Sequence, residues 1–139
     1  MSAPTFNLYP VGRIESALTD LVSAPRQADE HAPPATLVID AAFADACADL
    51  HTGDVIIVLT WLDRAHRDVL RVHPRGDKSR PQEGVFSTRA PHRPNPIGLH
   101  RTRIARIEGA RIHVDQLEAL DGTPVLDIKP VLNEDVSER

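Results

Sequence analysis

The sequence predicts an all-β protein: a small antiparallel barrel of six to seven strands with one short inserted helix. Three observations carry that expectation. Apolar runs are short and separated by turn signals, and twelve of the 139 residues are proline. Only one segment, 41–50, repeats its apolar residues with helical spacing. Strands do not alternate with several helices, as a doubly wound parallel sheet requires.

The elements follow in order. Residues 7–19 place Leu8, Val11, Ile14 and Ala17 among Pro10 and Gly12, which suits a bent or bulged strand. Residues 20–34, with Pro25, Pro33 and Pro34, read as a loop, and 35–40 as a short strand. Phe43, Ala46, Cys47 and Leu50 fall at i, i+3, i+4 and i+7, one face of a helix of two to three turns. His51-Thr52-Gly53-Asp54 stops it. The continuous run 55–62 is rich in β-branched residues and suits a strand through the core. A further strand is expected at 69–72, then a polar loop at 74–83. Strands at 97–107 and 111–117 join through a hairpin turn at Glu108-Gly109-Ala110. Asp121-Gly122-Thr123-Pro124 is a turn before a last strand at 125–129. No linker or repeat interrupts the chain, so one domain over 1–139, with a core of about 7–132, is expected.

Composition narrows the class. Hydrophobic residues make up 41% and aromatic ones 4%, so the core must be aliphatic. No apolar run approaches the roughly 18 residues that span a bilayer, and the N-terminus lacks the pattern of a signal peptide. Cys47 is the single cysteine, which excludes a disulfide within the chain and fits a cytoplasmic setting. Charge is divided unevenly. Between Arg64 and Arg111 there are twelve Lys and Arg against four Asp and Glu; elsewhere there are four against sixteen. Either a basic face meets an anionic partner, or cross-strand ion pairs join the two halves.

Cofactor and catalytic motifs are mostly absent. There is no GxGxxG, P-loop or GxSxG. The seven histidines lack the spacing of a metal site, and none is expected. Cys47 lies on the apolar face of the expected helix, as a core residue would. What stands out is 84–99, GVFSTRAPHRPNPIGL. Pro91, Pro94 and Pro96 stiffen a loop carrying Arg89, His92, Arg93 and Asn95. Polar stretches at Pro25-Arg26-Gln27, Asp63-Arg64 and Leu120-Asp121-Gly122-Thr123 also sit beside strand ends, where barrel loops converge.

STRAPHRPNPIGL and LDGTPVLDIKP, with YPVGRIES, PRQ and VIIVLTWLDRAHRDVLRVHPRGD, resemble the TsaA-like domain of the TrmO methyltransferases. The similarity runs over about 7–132. It implies a small β-barrel, a homodimer, and S-adenosylmethionine (SAM) bound near the subunit interface. It further implies methylation of the exocyclic nitrogen of threonylcarbamoyladenosine beside the anticodon of tRNA. Carried onto this chain, the cofactor contacts are Pro25, Arg26, Gln27, Asp63, Arg64, Arg89, Leu99, Leu120, Asp121, Gly122 and Thr123. Many relatives have His at the position of Asp63, and some carry a further C-terminal domain that helps with tRNA. Arg93 and Asn95 would hold substrate, and Arg101, Arg103 and Arg106 would follow RNA phosphates. His92 is the candidate base within the motif. The alternatives are a methyltransferase of the same fold acting on a small molecule or another RNA, and a non-enzymatic module that binds SAM or a nucleotide.

Overall fold

In the computed structural model, which describes residues 3–20 and 31–132, six strands close into an antiparallel barrel. In chain order the strands are β1 (Gly12–Ser16), β2 (Ala35–Ile39), β3 (Val55–Trp61), β4 (Arg71–Val72), β5 (Glu83–Gly84), β6 (Ile97–Glu108), β7 (Arg111–Val114) and β8 (Pro124–Pro130). Around the barrel the order is β1, β2, β7, β6, β3, β8, and β8 pairs back onto β1. Closure leaves no unpaired edge. β4 and β5 form a separate two-stranded ladder in the long excursion from β3 to β6.

Two bulges shape the barrel. Leu126 is the extra residue where β8 meets β3, and Ala105 where β6 meets β7. Each raises the local twist and bends its strand. β3 pairs with both β6 and β8, which explains its unbroken apolar run. Its Ile56, Val58 and Thr60 are buried, and so are their partners Thr102, His100 and Gly98 on β6. The two buried rows therefore share the barrel interior. The rest of the interior is aliphatic: Ile14, Leu37, Ile104, Ile112, Leu117 and Val125 are at most 1% exposed. No helix among the described residues is long and apolar enough to cross a membrane.

Three sequence expectations change in detail. The segment at 41–50 is a 3-10 helix over Ala41–Cys47, and none of its residues is fully buried. Only Phe43, Cys47 and the following Leu50 pack against the core, too narrow an apolar face to hold a full α-helix. The expected strand at 69–72 shortens to β4, since only β5 is there to pair with it. The strand expected at 111–117 ends at Val114, and 115–123 crosses the barrel end instead.

Ion pairs account for part of the basic excess. Glu15 on β1 accepts hydrogen bonds from Arg111 on β7 at 2.6 Å and from Arg13 at 3.3 Å. The bond from Arg111, reinforced by both positive charges, holds the Glu15 carboxyl below the usual range. A carboxyl lowered on folding stabilises in full above its unfolded pKa, and that contribution fades as pH falls through the lowered value. Glu15→Gln should therefore lower the melting temperature slightly near neutral pH. The gap should close as pH drops below about 4. Melting curves recorded across pH test this, and a gap independent of pH would contradict it.

Candidate functional site

An open cavity of about 1640 Å³ lies between the barrel and the β3–β6 excursion. Residues distant in sequence meet in its wall: Asp63, Arg64, Arg89, Leu99, Leu120 and Thr123. Its volume exceeds the roughly 300–1,000 Å³ of a site for one small molecule. The wall carries more Arg and Lys than Asp and Glu, with Arg101 and Arg103 among them.

The excursion is braced by its own polar side chains. The Arg67 guanidinium stacks over Trp61 at 5.1 Å and donates to Pro94 O and Asn95 Oδ1, at 2.7 and 2.9 Å. Arg93 donates to the carbonyls of Val85, Thr88 and Ala90. Arg93 and Asn95, expected to hold substrate, are thus committed to the loop itself. Arg64 lines the cavity and donates to Thr19 O at 3.2 Å. Arg89 is different: it is exposed in the cavity wall and makes no hydrogen bond or ion pair among the described residues.

His92 also lines the cavity, but its Nδ1 accepts the backbone N–H of His66 at 2.9 Å, and the two rings stack at 5.1 Å. The neutral ring then carries its proton on Nε2, so no lone pair is left to accept another. In this arrangement His92 has no free ring lone pair, contrary to its expected role as base.

At the barrel end a polar chain runs from β3 to β6 to the 115–123 segment. Thr60 Oγ1 lies 2.7 Å from His100 Nε2, and His100 Nδ1 lies 2.5 Å from Glu118 Oε1. With Glu118 ionised, Nδ1 donates to it and Nε2 accepts the Thr60 hydroxyl. The connectivity matches that of a hydrolytic triad, but Thr60 is 0% exposed and cannot act as a nucleophile. His100 and Glu118 both line the cavity, and the second Glu118 oxygen is buried with no hydrogen-bond partner among the described residues. None of these three residues stands out as a motif. The available signal was parity: His100 shares strand parity with Ile104, the buried one.

The turn at 120–123 divides its residues. Leu120 and Thr123 are buried against the cavity, whereas Asp121 and Gly122 line a second depression of about 950 Å³. Asp121 Oδ1 accepts the Ser16 N–H at 3.0 Å, and the N–H groups of Asp121 and Gly122 donate to Leu18 and Ile14. These bonds stitch the turn to β1. Gly122 has φ +84°, which its lack of Cβ permits. Arg106 lines the same second depression and pairs with Glu108 at 3.1 Å. Charges there neutralise one another, so the larger cavity is the candidate site. Pro25, Arg26 and Gln27 lie outside the described residues. Among the described residues no cluster suits a metal ion.

Known proteins resemble this chain over most of its length. The family model described as the tRNA-methyltransferase O N-terminal domain matches residues 13–135. An S-adenosyl-L-methionine-binding protein of Archaeoglobus fulgidus is 43% identical over 122 residues, covering 88% of this chain and 86% of that protein. A probable S-adenosyl-L-methionine-binding protein of the same organism is 44% identical over 123 residues, covering 88% of this chain but 33% of its own length. The crystal structure of TrmO from Pseudomonas aeruginosa superposes with a TM-score of 0.73 at 30% identity, covering 93% of this chain and 57% of that one. The chain therefore spans only part of several proteins that it resembles.

Proposed function

We propose, from the premise that this chain belongs to the tRNA-methyltransferase O N-terminal domain family, that it binds SAM and methylates the exocyclic nitrogen of threonylcarbamoyladenosine in tRNA. The observation that supports the reading best is the single cavity in which Asp63, Arg64, Arg89, Leu99, Leu120 and Thr123 meet. Its residues suit the cofactor. Arg89, without a hydrogen-bond or ion-pair partner among the described residues, suits a carboxylate. Leu62, Leu99 and Leu120 offer apolar surface to an adenine ring. The Glu118 oxygen that has no partner among the described residues suits a positive group. Pro25, Arg26 and Gln27 would complete the contacts.

When bound, SAM supplies a methyl group already activated on a sulfonium. The work left to the chain is alignment, which alone accelerates a transfer strongly. The target nitrogen lies between an adenine ring and a carbonyl, both of which acidify its proton, so a strong base is not required. The stiff loop at 91–96, fixed by Arg67 and Arg93, holds the cavity wall in shape. Arg101 and Arg103, in the cavity wall, would meet RNA phosphates, Arg103 while also donating to Gly53 O at 2.9 Å, whereas Arg106 is set apart by the Ala105 bulge. Ile97 and Leu99, about 40% exposed beside Leu59 and Trp61 on β3, offer an apolar row for a second copy to cover in a homodimer.

Calorimetric titration with SAM, followed by mass spectrometry of nucleosides from tRNA incubated with chain and SAM, tests the proposal. One added methyl on threonylcarbamoyladenosine is expected. Binding without transfer would favour the SAM-binding module that the Archaeoglobus names describe. Absence of binding would overturn the reading.

A further inference from the structure

We propose that Glu118, braced by His100 and Thr60, is the negative counter-charge for a cationic group of the ligand. The inference rests on the reading of the cavity as a SAM site. Four features carry it. Glu118 lines the cavity, and its Oε1 is fixed 2.5 Å from His100 Nδ1. His100 is itself 2.7 Å from Thr60 Oγ1, so the carboxylate is braced by a chain anchored on a buried hydroxyl. Its Oε2 is buried with no hydrogen-bond partner among the described residues. Removing a charged oxygen from water without a partner is unfavourable, and a cation beside it offsets part of that cost. Finally, the same wall carries the exposed Arg89, Arg101 and Arg103, whereas Glu118 is the least exposed of its acids, at 13% for the side chain. That distribution fits a ligand with an anionic end and a cationic interior.

The cation is an ammonium or a sulfonium, and SAM carries both. Three adenosine ligands separate them: SAM, S-adenosylhomocysteine, which keeps only the ammonium, and 5′-methylthioadenosine, which has neither. Their affinities are measured by calorimetry for the wild-type chain and for Glu118→Gln, with circular dichroism confirming the fold. Glu118→Gln should weaken SAM by about tenfold to a hundredfold and leave 5′-methylthioadenosine within about twofold. An equal loss for S-adenosylhomocysteine assigns the ammonium; an unchanged affinity for it assigns the sulfonium. Parallel weakening of all three ligands would show that Glu118 only braces the wall, and would overturn the proposal. No weakening of any ligand would overturn it too, while leaving the SAM site intact. Failure of the wild-type chain to bind SAM would overturn both readings. If Glu118→Gln does not fold, Glu118→Asp, which withdraws the charge by one methylene, should weaken SAM severalfold relative to 5′-methylthioadenosine. An unchanged ratio would overturn the proposal.

Discussion

Arg89→Ala should weaken SAM binding by about tenfold to a hundredfold while barely moving the melting temperature. The magnitude is that of a charge-assisted hydrogen bond, about 1.5–3 kcal/mol. The separation of binding from stability follows from what Arg89 touches. Among the described residues it has no hydrogen-bond or ion-pair partner, so its loss leaves no acceptor stranded. An exposed substitution of that kind usually shifts stability by less than about 0.5 kcal/mol. Arg89→Lys should lie between wild type and Ala, because it keeps the charge but not the planar fork. Titration with SAM measures the affinities, and thermal melts supply the stability control. An unchanged affinity for Arg89→Ala would remove this residue from the site. A large drop in melting temperature would show that it supports the loop instead.

Much of the fold was legible because it depends on local signals. The β-branched run of 55–62 became β3, the Glu108-Gly109 turn joined β6 to β7, and the Asp-Gly corner preceded β8. The short helix was less legible, since its spacing satisfied a helical face while too few of its side chains reach the core. Within the site, residue types were easier to read than their duties. Arg93 and Asn95 are polar residues in a proline-stiffened loop, and sequence alone does not distinguish donors that face a ligand from donors that hold the loop. Their partners, Val85 O and Arg67, lie 8 and 28 residues away. Thr60, His100 and Glu118 are not legible as a group in the sequence for a related reason. They are separated by 40 and 18 residues, and only the β3–β6 register with the 115–123 crossing brings them together. Of the two readings of the charge asymmetry, ion pairing between the halves is met in part: Arg111 of the basic segment pairs across strands with Glu15, while Arg89 has no hydrogen-bond or ion-pair partner among the described residues.

Gly98→Ala should lower stability by about 2–5 kcal/mol, and Gly98→Val should prevent folding. Gly98 sits opposite Thr60 in the β3–β6 register, in a strand where its backbone conformation is open to any residue. The reason for glycine here is close approach. A Cβ at this position would press on Thr60 Oγ1, would lie 2.7 Å from His100 Nε2, and would lie 3.1 Å from Leu62 Cδ2. Thr60 is 0% exposed and His100 5%, so neither can swing into solvent. Alanine must therefore separate the two and break their hydrogen bond. Overpacking costs about 1–3 kcal/mol, and a stranded buried polar group costs about as much again. At about 3–5 °C per kcal/mol for a domain of this size, the melting temperature should fall by roughly 6–25 °C. Valine adds two methyl groups beyond the Cβ that already does not fit, and the combined loss approaches the whole stability of an ordinary domain, about 5–15 kcal/mol. Coupling to Thr60 supplies the sharper test. Thr60→Ala alone strands His100 Nε2, yet in the Gly98→Ala background it also removes the clashing oxygen. The double variant should then be more stable than the sum of the single losses by at least about 1 kcal/mol. Strictly additive losses, or a Gly98→Ala protein that melts with the wild type, would mean that this glycine is not what lets the polar chain from Thr60 to Glu118 assemble.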